Sequence, residues 1–214
     1  MNKNDMMTYF NKKTIYGITA QKFSKGRSNL QVVEEMLKAG IRIIQYREKE
    51  KKLKEKYEEC LVIRKMTKDY NAILIINDHV DLCQMVDADG VHIGQDDYPV
   101  CEVRKLIGDK IIGVSTHGEE QLVKAYEDGA DYVGVGPIFE TFTKEDVVRP
   151  VGIEYLRWAA KYAKIPYVAI GGIKEWNLKS IVENGGRCIA MVTEIVGADD
   201  IQDKIKRLYK IMEG

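Results

Sequence analysis

The sequence Gln45-Tyr46-Arg47-Glu48-Lys49 ends a run of residues that is typical of a β-strand. Alternation along a strand would place Gln45, Arg47 and Lys49 on one face, with Tyr46 and Glu48 on the other. The first face combines an amide with two cations, and a guanidinium and an ammonium together suit a diphosphate. A ladder of salt bridges at the rim of a sheet is the alternative interpretation.

Carboxylates follow the next two candidate strands, where Asp78 ends one and Asp97 follows the other. Hard oxygen ligands without a cluster of cysteine or histidine indicate Mg²⁺, which binds one or two protein carboxylates and completes its shell with water and phosphate. Helix capping is the alternative for both residues. Asp96 competes with Asp97 for the metal.

The candidate strand at 111–116 brings a small hydroxyl, Ser115, and an imidazole, His117, to the same edge. His117 could transfer a proton near neutral pH, or it could be an exposed loop residue. His92 lies inside a candidate strand, so we expect its ring to be held by hydrogen bonds in the core. We find no nucleophile triad.

The last three candidate strands end in or are followed by hydroxyls, glycines, a lysine and a valine, and these are Thr141, Thr143, Lys144, Gly171, Gly172, Val192 and Thr193. The first three belong to a long loop that could close over a phosphorylated ligand or be an ordinary surface loop. The two glycines allow a backbone to approach an anion closely, although packing could also require them.

Eight candidate strands alternate with amphipathic stretches, and they span 14–20, 41–49, 73–78, 90–94, 111–116, 132–139, 167–173 and 188–195. Near-continuous apolar strands indicate a parallel sheet covered on both faces. The count predicts a closed (β/α)8 barrel, whose active site lies at the carboxyl ends of the strands. A doubly wound open sheet is the alternative, but it uses fewer strands, and no G-x-G-x-x-G follows the first strand.

The chain has 214 residues, 45% of them hydrophobic, and 33 basic side chains balance 33 acidic ones. This favours one domain over residues 1–214, with a short polar N-terminal extension at about residues 1–13. A net charge of zero excludes the basic surface of proteins that coat nucleic acid, and no apolar run is long enough to span a membrane. The scattered cysteines and the absence of a signal peptide predict reduced, buried thiols in a cytoplasmic protein.

Taken together, the motifs resemble the thiamine-phosphate synthase family in order and spacing. They are Q-x-R-E-K, N-D, G-Q-x-D, G-V-S-x-H, G-P-I-F-x-T-x-T-K and I-G-G-I, each at the end of its strand. The resemblance implies a (β/α)8 barrel that joins hydroxymethylpyrimidine diphosphate to a thiazole phosphate and releases pyrophosphate. It also implies one Mg²⁺ per subunit and a homodimer.

The resemblance further assigns roles to residues. The pyrimidine diphosphate would be bound by Gln45, Tyr46, Arg47, Glu48, Lys49, Asn77, Ser115 and Lys144. The thiazole phosphate would be bound by Thr141, Phe142, Thr143, one of Gly171 and Gly172, Val192 and Thr193. Asp78 and Asp97 would hold Mg²⁺, and the catalytic residues would be Arg47, Lys49, Ser115 and Lys144. The implied reaction is a dissociative substitution in which pyrophosphate leaves before the thiazole nitrogen attacks.

Two segments depart from the family pattern. The usual approach to strand 8 is replaced by Asn184-Gly185-Gly186-Arg187-Cys188, and Thr193 stands where serine is common. Two other functions stay open. A thiazole tautomerase of the same family would use His117 and need neither diphosphate nor metal, so the retained Q-x-R-E-K run and carboxylates argue against it. A non-catalytic sensor of a phosphorylated ligand would tolerate loss of Asp78, Asp97 or Lys144.

Overall fold

The structure is a computed structural model and describes residues 1–143 and 148–214. Eight parallel strands close into a barrel in which each strand pairs with the next and the last pairs with the first. The strands are β1 Thr14–Ile18, β2 Ile43–Tyr46, β3 Ile73–Asn77, β4 Gly90–Ile93, β5 Ile111–Thr116, β6 Tyr132–Val135, β7 Tyr167–Ala169 and β8 Cys188–Met191. The closed barrel confirms the (β/α)8 prediction and excludes the open sheet.

The helices are α1 Lys3–Phe10, α2 Asn29–Lys38, α3 Leu53–Asp69, α4 Val80–Met85, α5 Val100–Ile107, α6 Glu119–Glu127, α7 Gly152–Tyr162, α8 Leu178–Glu183, α9 Thr193–Val196 and α10 Ile201–Glu213. All of these except α1 contribute buried side chains to the core outside the strands. In residues 1–143 and 148–214, no helix is long and apolar enough to cross a membrane.

The hydrophobic core has two layers. The larger layer lies between the strands and the helices. The smaller one fills the barrel interior with side chains from alternate strand positions, such as Ile43, Ile73 and Ile75. This interior layer forms the floor beneath the carboxyl ends of the strands.

The polar N-terminal extension contains a helix, α1. The side chain of Asn2 caps it by accepting a hydrogen bond from the Asp5 backbone N–H at 2.9 Å. Its two buried residues, Met6 and Phe10, belong to the interior core, and the Phe10 ring centroid lies 4.5 Å from that of Tyr132. The extension therefore packs against the barrel interior, although its sequence is mostly polar.

Some strands end earlier than their apolar patterns predict. The pattern at 41–49 predicts a strand to Lys49, but β2 ends at Tyr46. The pattern at 188–195 continues through Val192, where the backbone turns out of the extended region and α9 begins. The residues left beyond the shortened strands form the loops that surround the site.

The cysteine prediction is confirmed for three of the four residues. Cys60, Cys83 and Cys188 are buried free thiols, whereas Cys101 is exposed on α5. Cys188 lies in the interior layer of the core, where burial raises the pKa of its thiol above the ordinary value.

Candidate active site

A cavity of about 330 Å³ opens at the carboxyl ends of the strands. Its lining includes residues from every predicted motif except G-Q-x-D. The predicted site residues that line it are Gln45, Arg47, Asn77, Ser115, Thr141, Phe142, Thr143, Gly171, Gly172, Val192 and Thr193. Lys144 lies outside the described residues, so its predicted role stays a prediction.

Arg47 follows the last residue of β2 and borders this cavity. Its backbone is fixed by Thr19, whose hydroxyl accepts from the Arg47 N–H at 2.8 Å and donates to its carbonyl at 3.2 Å. Burial lowers the pKa of the guanidinium, partly offset by the carboxylates of Asp78 and Glu48. Within the described part of the chain, Nε of Arg47 is buried without a hydrogen-bond partner. A buried N–H donor without a partner favours the binding of an anionic ligand.

The other residues of the Q-x-R-E-K run do not line the cavity, apart from Gln45. The hydroxyl of Tyr46 donates to Oε2 of Glu59 at 2.7 Å, on the side of α3. The Oε1 atom of Glu48 accepts from the backbone N–H of Gln21 at 2.7 Å. Tyr46 and Glu48 therefore hold the strand end in place. Of the three residues predicted for the other face, Gln45 and Arg47 line the cavity and Lys49 does not.

Lys49 lies at the rim and forms a salt bridge with Asp78, in which Nζ is 2.6 Å from Oδ2. Asp78 follows β3 in a left-handed backbone conformation with φ of 62°. Its N–H donates to the carbonyl of His92 in the neighbouring strand at 2.9 Å. This bond fixes Asp78 beside the end of β4.

Asp97 lies in the loop after β4, where Oδ2 accepts from the Gly94 N–H at 2.6 Å. The two carboxylates thus follow adjacent strands at the same edge of the barrel. The described residues contain no group of three or more histidine, cysteine or acidic side chains that could hold a metal. Two carboxylates with substrate oxygens and water are still a suitable set for Mg²⁺.

A chain of hydrogen bonds crosses the barrel interior at the floor of the cavity. Nε2 of Gln45 lies 2.8 Å from the Tyr16 hydroxyl, which is 2.9 Å from the Tyr132 hydroxyl. Nδ1 of His92 lies 2.9 Å from the Tyr132 hydroxyl, and its Nε2 lies 2.9 Å from Oγ of Ser115. The chain therefore links two predicted site residues, Gln45 of β2 and Ser115 of β5, through the barrel interior.

At one end of the chain Tyr16 accepts from Gln45, because an amide nitrogen can only donate. Between Tyr16 and Tyr132 either hydroxyl can be the donor, and burial raises the pKa of Tyr132 far above the ordinary value. The tautomer of His92 decides whether Ser115 accepts from Nε2 or donates to it. His92 therefore couples the hydroxyl of Ser115 to the tyrosine pair.

A glycine makes room for this chain. A Cβ at Gly113 of β5 would lie 2.1 Å from the Tyr132 ring, closer than any side chain allows. The glycine of the G-V-S-x-H motif is therefore needed to hold Tyr132 in the barrel.

His117 also lines the cavity. Its Nδ1 lies 2.6 Å from the carbonyl oxygen of Gly136, which can only accept, so Nδ1 carries a proton. The backbone N–H of His117 donates to Oε1 of Gln121 at 2.7 Å. The ring is thus held at the cavity wall in one tautomer.

The opposite side of the cavity is formed by the loops after β6, β7 and β8. Gly171 and Gly172 have φ values of 100° and 63°, and a Cβ at Gly171 would lie 2.4 Å from Cα of Pro137. Glycine is required where left-handed backbone packs this closely. The hydroxyl oxygens of Thr141 and Thr143 lie 3.2 Å apart in the neighbouring loop.

The sequence analysis did not identify every residue that lines the cavity, and the polar side chains of Tyr16, Tyr132 and Lys174 are among those it missed. Tyr16 and Tyr132 lie within strands and not at their carboxyl ends. Lys174 follows the I-G-G-I motif directly, and its position next to two glycines was the available signal.

Comparison with known proteins agrees with this geometry. The family model for thiamine monophosphate synthase matches residues 15–195. A thiamine-phosphate synthase of Caldicellulosiruptor saccharolyticus is 62% identical over 214 residues, covering 100% of this chain and 97% of that protein. One of Dictyoglomus thermophilum is 51% identical and covers 100% of this chain and 96% of that protein. The solved structure of thiamine phosphate pyrophosphorylase from Pyrococcus furiosus has a TM-score of 0.87 at 35% identity, covering 95% of this chain and 97% of that one. The chain therefore belongs to the thiamine monophosphate synthase family.

Proposed function

We propose that this chain is a thiamine-phosphate synthase. It would condense 4-amino-2-methyl-5-(diphosphooxymethyl)pyrimidine with thiazole phosphate, or its carboxylate, and release pyrophosphate. The observation that carries the proposal is Arg47, whose Nε is buried at the cavity without a hydrogen-bond partner among residues 1–143 and 148–214. A guanidinium held in this way favours a ligand with a phosphate or diphosphate group. Two relatives that align with the whole chain carry the name of this enzyme.

The pyrimidine diphosphate is assigned to the side of the cavity formed by β2, β3 and β5. Gln45, Arg47, Asn77 and Ser115 line that side. Gln45 and Ser115 would contact the substrate while the hydrogen-bond chain between them fixes their orientation. Lys49, at the rim beside Asp78, would add a second cation for the diphosphate.

The thiazole phosphate is assigned to the opposite side, formed by the loops after β6, β7 and β8. Thr141, Phe142 and Thr143 lie in the first loop, and Gly171 and Gly172 lie in the second. Val192 and Thr193 complete this side at the end of β8. This division puts the two substrates on facing walls of one cavity, as a condensation requires.

Asp78 and Asp97 are the residues that would hold Mg²⁺. In its described contacts, each carboxylate uses only Oδ2, with Lys49 in one case and the Gly94 N–H in the other. The set of hard oxygen atoms therefore fits the ion, with substrate oxygens completing the shell. When bound, Mg²⁺ would supply positive charge beside the diphosphate.

The proposed reaction begins with loss of pyrophosphate, and the resulting pyrimidine methylene cation is then attacked by the thiazole nitrogen. Stabilisation of the leaving group is the main task of the protein. Arg47 and Lys49 would neutralise the growing negative charge, and the Ser115 hydroxyl would donate a hydrogen bond to a leaving oxygen. Because these donors are held before the substrate arrives, little reorganisation is needed during the reaction. Lys144 is proposed as a third cation on the strength of the family motif.

The second candidate function is a thiazole tautomerase, which is favoured by one observation. His117 lines the cavity with Nδ1 hydrogen-bonded to a carbonyl, an arrangement that leaves Nε2 as the basic atom. A tautomerase would give no task to Arg47 or to the carboxylates of Asp78 and Asp97. The synthase explains these three residues and is therefore preferred.

The proposal is tested by incubating the purified protein with both substrates and Mg²⁺ and detecting thiamine phosphate by mass. We expect product only when both substrates are present. A parallel incubation with thiazole carboxylate phosphate alone detects isomerisation. Isomerisation without thiamine phosphate would overturn the synthase in favour of the tautomerase. Ligand binding without either reaction would indicate a sensor.

A further inference from the structure

Lys174 is a cation on the wall assigned to the thiazole phosphate. Its Nζ lies 2.7 Å from Oγ1 of Thr193, and both residues line the cavity. Its side chain is 33% exposed. The ammonium group thus joins the loop after β7 to the end of β8 at the cavity wall.

The backbone of Lys174 is fixed by Asn177, which is 5% exposed. Oδ1 of Asn177 accepts from the Lys174 N–H at 2.7 Å, and its Nδ2 donates to the Gly172 carbonyl at 3.0 Å. One buried amide therefore holds the lysine and the glycine turn together. The side chain of Lys174 starts from a rigid position beside Gly172.

The charge of Lys174 is only partly balanced. Glu194 lies 3.6 Å from Nζ of Lys174, but its other oxygen lies 2.7 Å from Nζ of Lys204. The carboxylate is thus directed to Lys204, and the shortest described contact of the Lys174 ammonium is a neutral hydroxyl. Positive charge therefore remains at the wall of the cavity.

Hydrogen-bond donors also remain at this wall. An ammonium has three N–H donors, and the described contacts with Thr193 and Glu194 involve two of them. Because Thr193 accepts from Lys174, its own hydroxyl proton is left for another acceptor. A phosphate monoester, with its acceptor oxygens and negative charge, matches both groups.

We propose, given the synthase activity proposed above, that Lys174 binds the phosphate of the thiazole substrate together with Thr193. Lys174 would also orient the Thr193 hydroxyl toward that phosphate. The pair would make the enzyme select the phosphorylated thiazole over the corresponding alcohol. Lys174 would have little effect on the pyrimidine diphosphate, which is assigned to the opposite wall.

The test compares wild type with Lys174→Met and Lys174→Arg. Titration calorimetry with thiazole phosphate, without the pyrimidine substrate, measures binding directly. We expect Lys174→Met to weaken binding about 10- to 100-fold, as for loss of one charge-assisted hydrogen bond, and Lys174→Arg to restore most of it. The KM for thiazole phosphate should rise by a similar factor, while the KM for the pyrimidine diphosphate and the affinity for the thiazole alcohol stay constant.

Lys179→Met is the matched control, because Lys179 is an exposed lysine on the neighbouring helix α8 that pairs with Glu183. It should bind thiazole phosphate like the wild type. Equal affinity of wild type and Lys174→Met for thiazole phosphate would overturn the inference. An equal loss of affinity for thiazole phosphate and for the thiazole alcohol would also overturn it. Wild-type binding without turnover would instead overturn the synthase proposal and leave the comparison of lysine variants intact.

Discussion

The hydroxyl oxygen of Ser115 lies 2.9 Å from Nε2 of His92, whose Nδ1 lies 2.9 Å from the hydroxyl of Tyr132. This contact connects a residue at the end of β5 with a chain that extends through the barrel interior to Gln45 on β2. The orientation of the Ser115 hydroxyl therefore depends on groups at the cavity floor.

Substitution of Tyr132 by phenylalanine should interrupt this chain while keeping the ring that packs against Phe10. We expect Tyr132→Phe to lower kcat/KM about 10-fold and the free energy of unfolding by about 1–3 kcal/mol, because Tyr16 and His92 lose a buried partner. Steady-state kinetics and urea unfolding measure the two effects.

Tyr167→Phe is the control for that substitution. The Tyr167 hydroxyl donates to the Gly185 carbonyl at 2.5 Å, at a position that does not line the cavity. Tyr167→Phe should lower stability without lowering kcat/KM. If both variants lose stability but keep the wild-type kcat/KM, the hydrogen-bond chain has no part in turnover.

The role of Asp78 is best tested with asparagine, because asparagine tolerates the left-handed backbone at φ of 62° better than alanine does. Asp78→Asn should raise the Mg²⁺ concentration for half-maximal activity about 10-fold or more, since a hard anionic ligand is lost. A Mg²⁺ titration of activity measures the change.

Asp97→Asn should behave in the same way as Asp78→Asn. Asp96→Asn, at an exposed neighbouring position, should leave the Mg²⁺ requirement unchanged. A larger effect at Asp96 than at Asp97 would reassign the second ligand.

Gly171 should not tolerate alanine. Its φ is 100° and the added Cβ would lie 2.4 Å from Pro137. Gly129 has a similar φ of 91° but nothing within 4 Å of its Cβ position, so Gly129→Ala measures the backbone strain alone.

We expect Gly129→Ala to cost about 1–2 kcal/mol of unfolding free energy. Gly171→Ala should cost about 1–3 kcal/mol more, and it should also weaken thiazole phosphate binding. Chemical unfolding and calorimetry check these values. Equal stability losses in the two variants would show that the close approach at Gly171 is unimportant.

Stability should depend on pH through Glu59. Burial raises the pKa of this carboxyl, but hydrogen bonds from Lys51, Asn29 and Tyr46 outweigh burial, so the pKa lies below its ordinary value of 4.5. A depressed carboxyl pKa stabilises the fold above the unfolded-state pKa, and this stabilisation is lost as pH falls through the folded-state value.

Glu59→Gln should therefore lower the free energy of unfolding by about 1–3 kcal/mol at neutral pH. The difference in free energy of unfolding between variant and wild type should become smaller once the pH falls below about 4.5. Urea unfolding at several pH values measures this difference. Glu58→Gln, at an exposed position on the same helix, should match the wild type throughout. A gap that is constant with pH would rule out the charge of Glu59 as its cause.

The strands could be predicted because their apolar runs are bounded by polar segments, and all eight were identified. The ends of the strands could not be predicted, since residues such as Val192 and Ile195 continue the apolar pattern into α9. Helix α1 was missed because only Met6 and Phe10 of its residues are buried. Its packing depends on the barrel interior, which local sequence does not reveal.

The site was predictable where motifs end a strand, as at Gln45, Arg47 and Ser115, which all line the cavity. The role of Tyr132 was not predictable, because this residue begins β6 and its hydroxyl contacts His92 from within the barrel. The role of Lys174 was not predictable either, because its contact with Thr193 joins two loops that are distant in sequence. Such cross-strand contacts arise from barrel closure and leave no periodic signal.

The most direct test of the central claim is pyrophosphate release by the wild type with both substrates, measured with Mg²⁺ and with a chelator. We predict one pyrophosphate for each thiamine phosphate formed, dependence on Mg²⁺, and a rate about 10²- to 10³-fold lower in Arg47→Met. Absence of pyrophosphate from the folded wild type, or undiminished release by Arg47→Met, would contradict the assignment of this cavity to diphosphate chemistry.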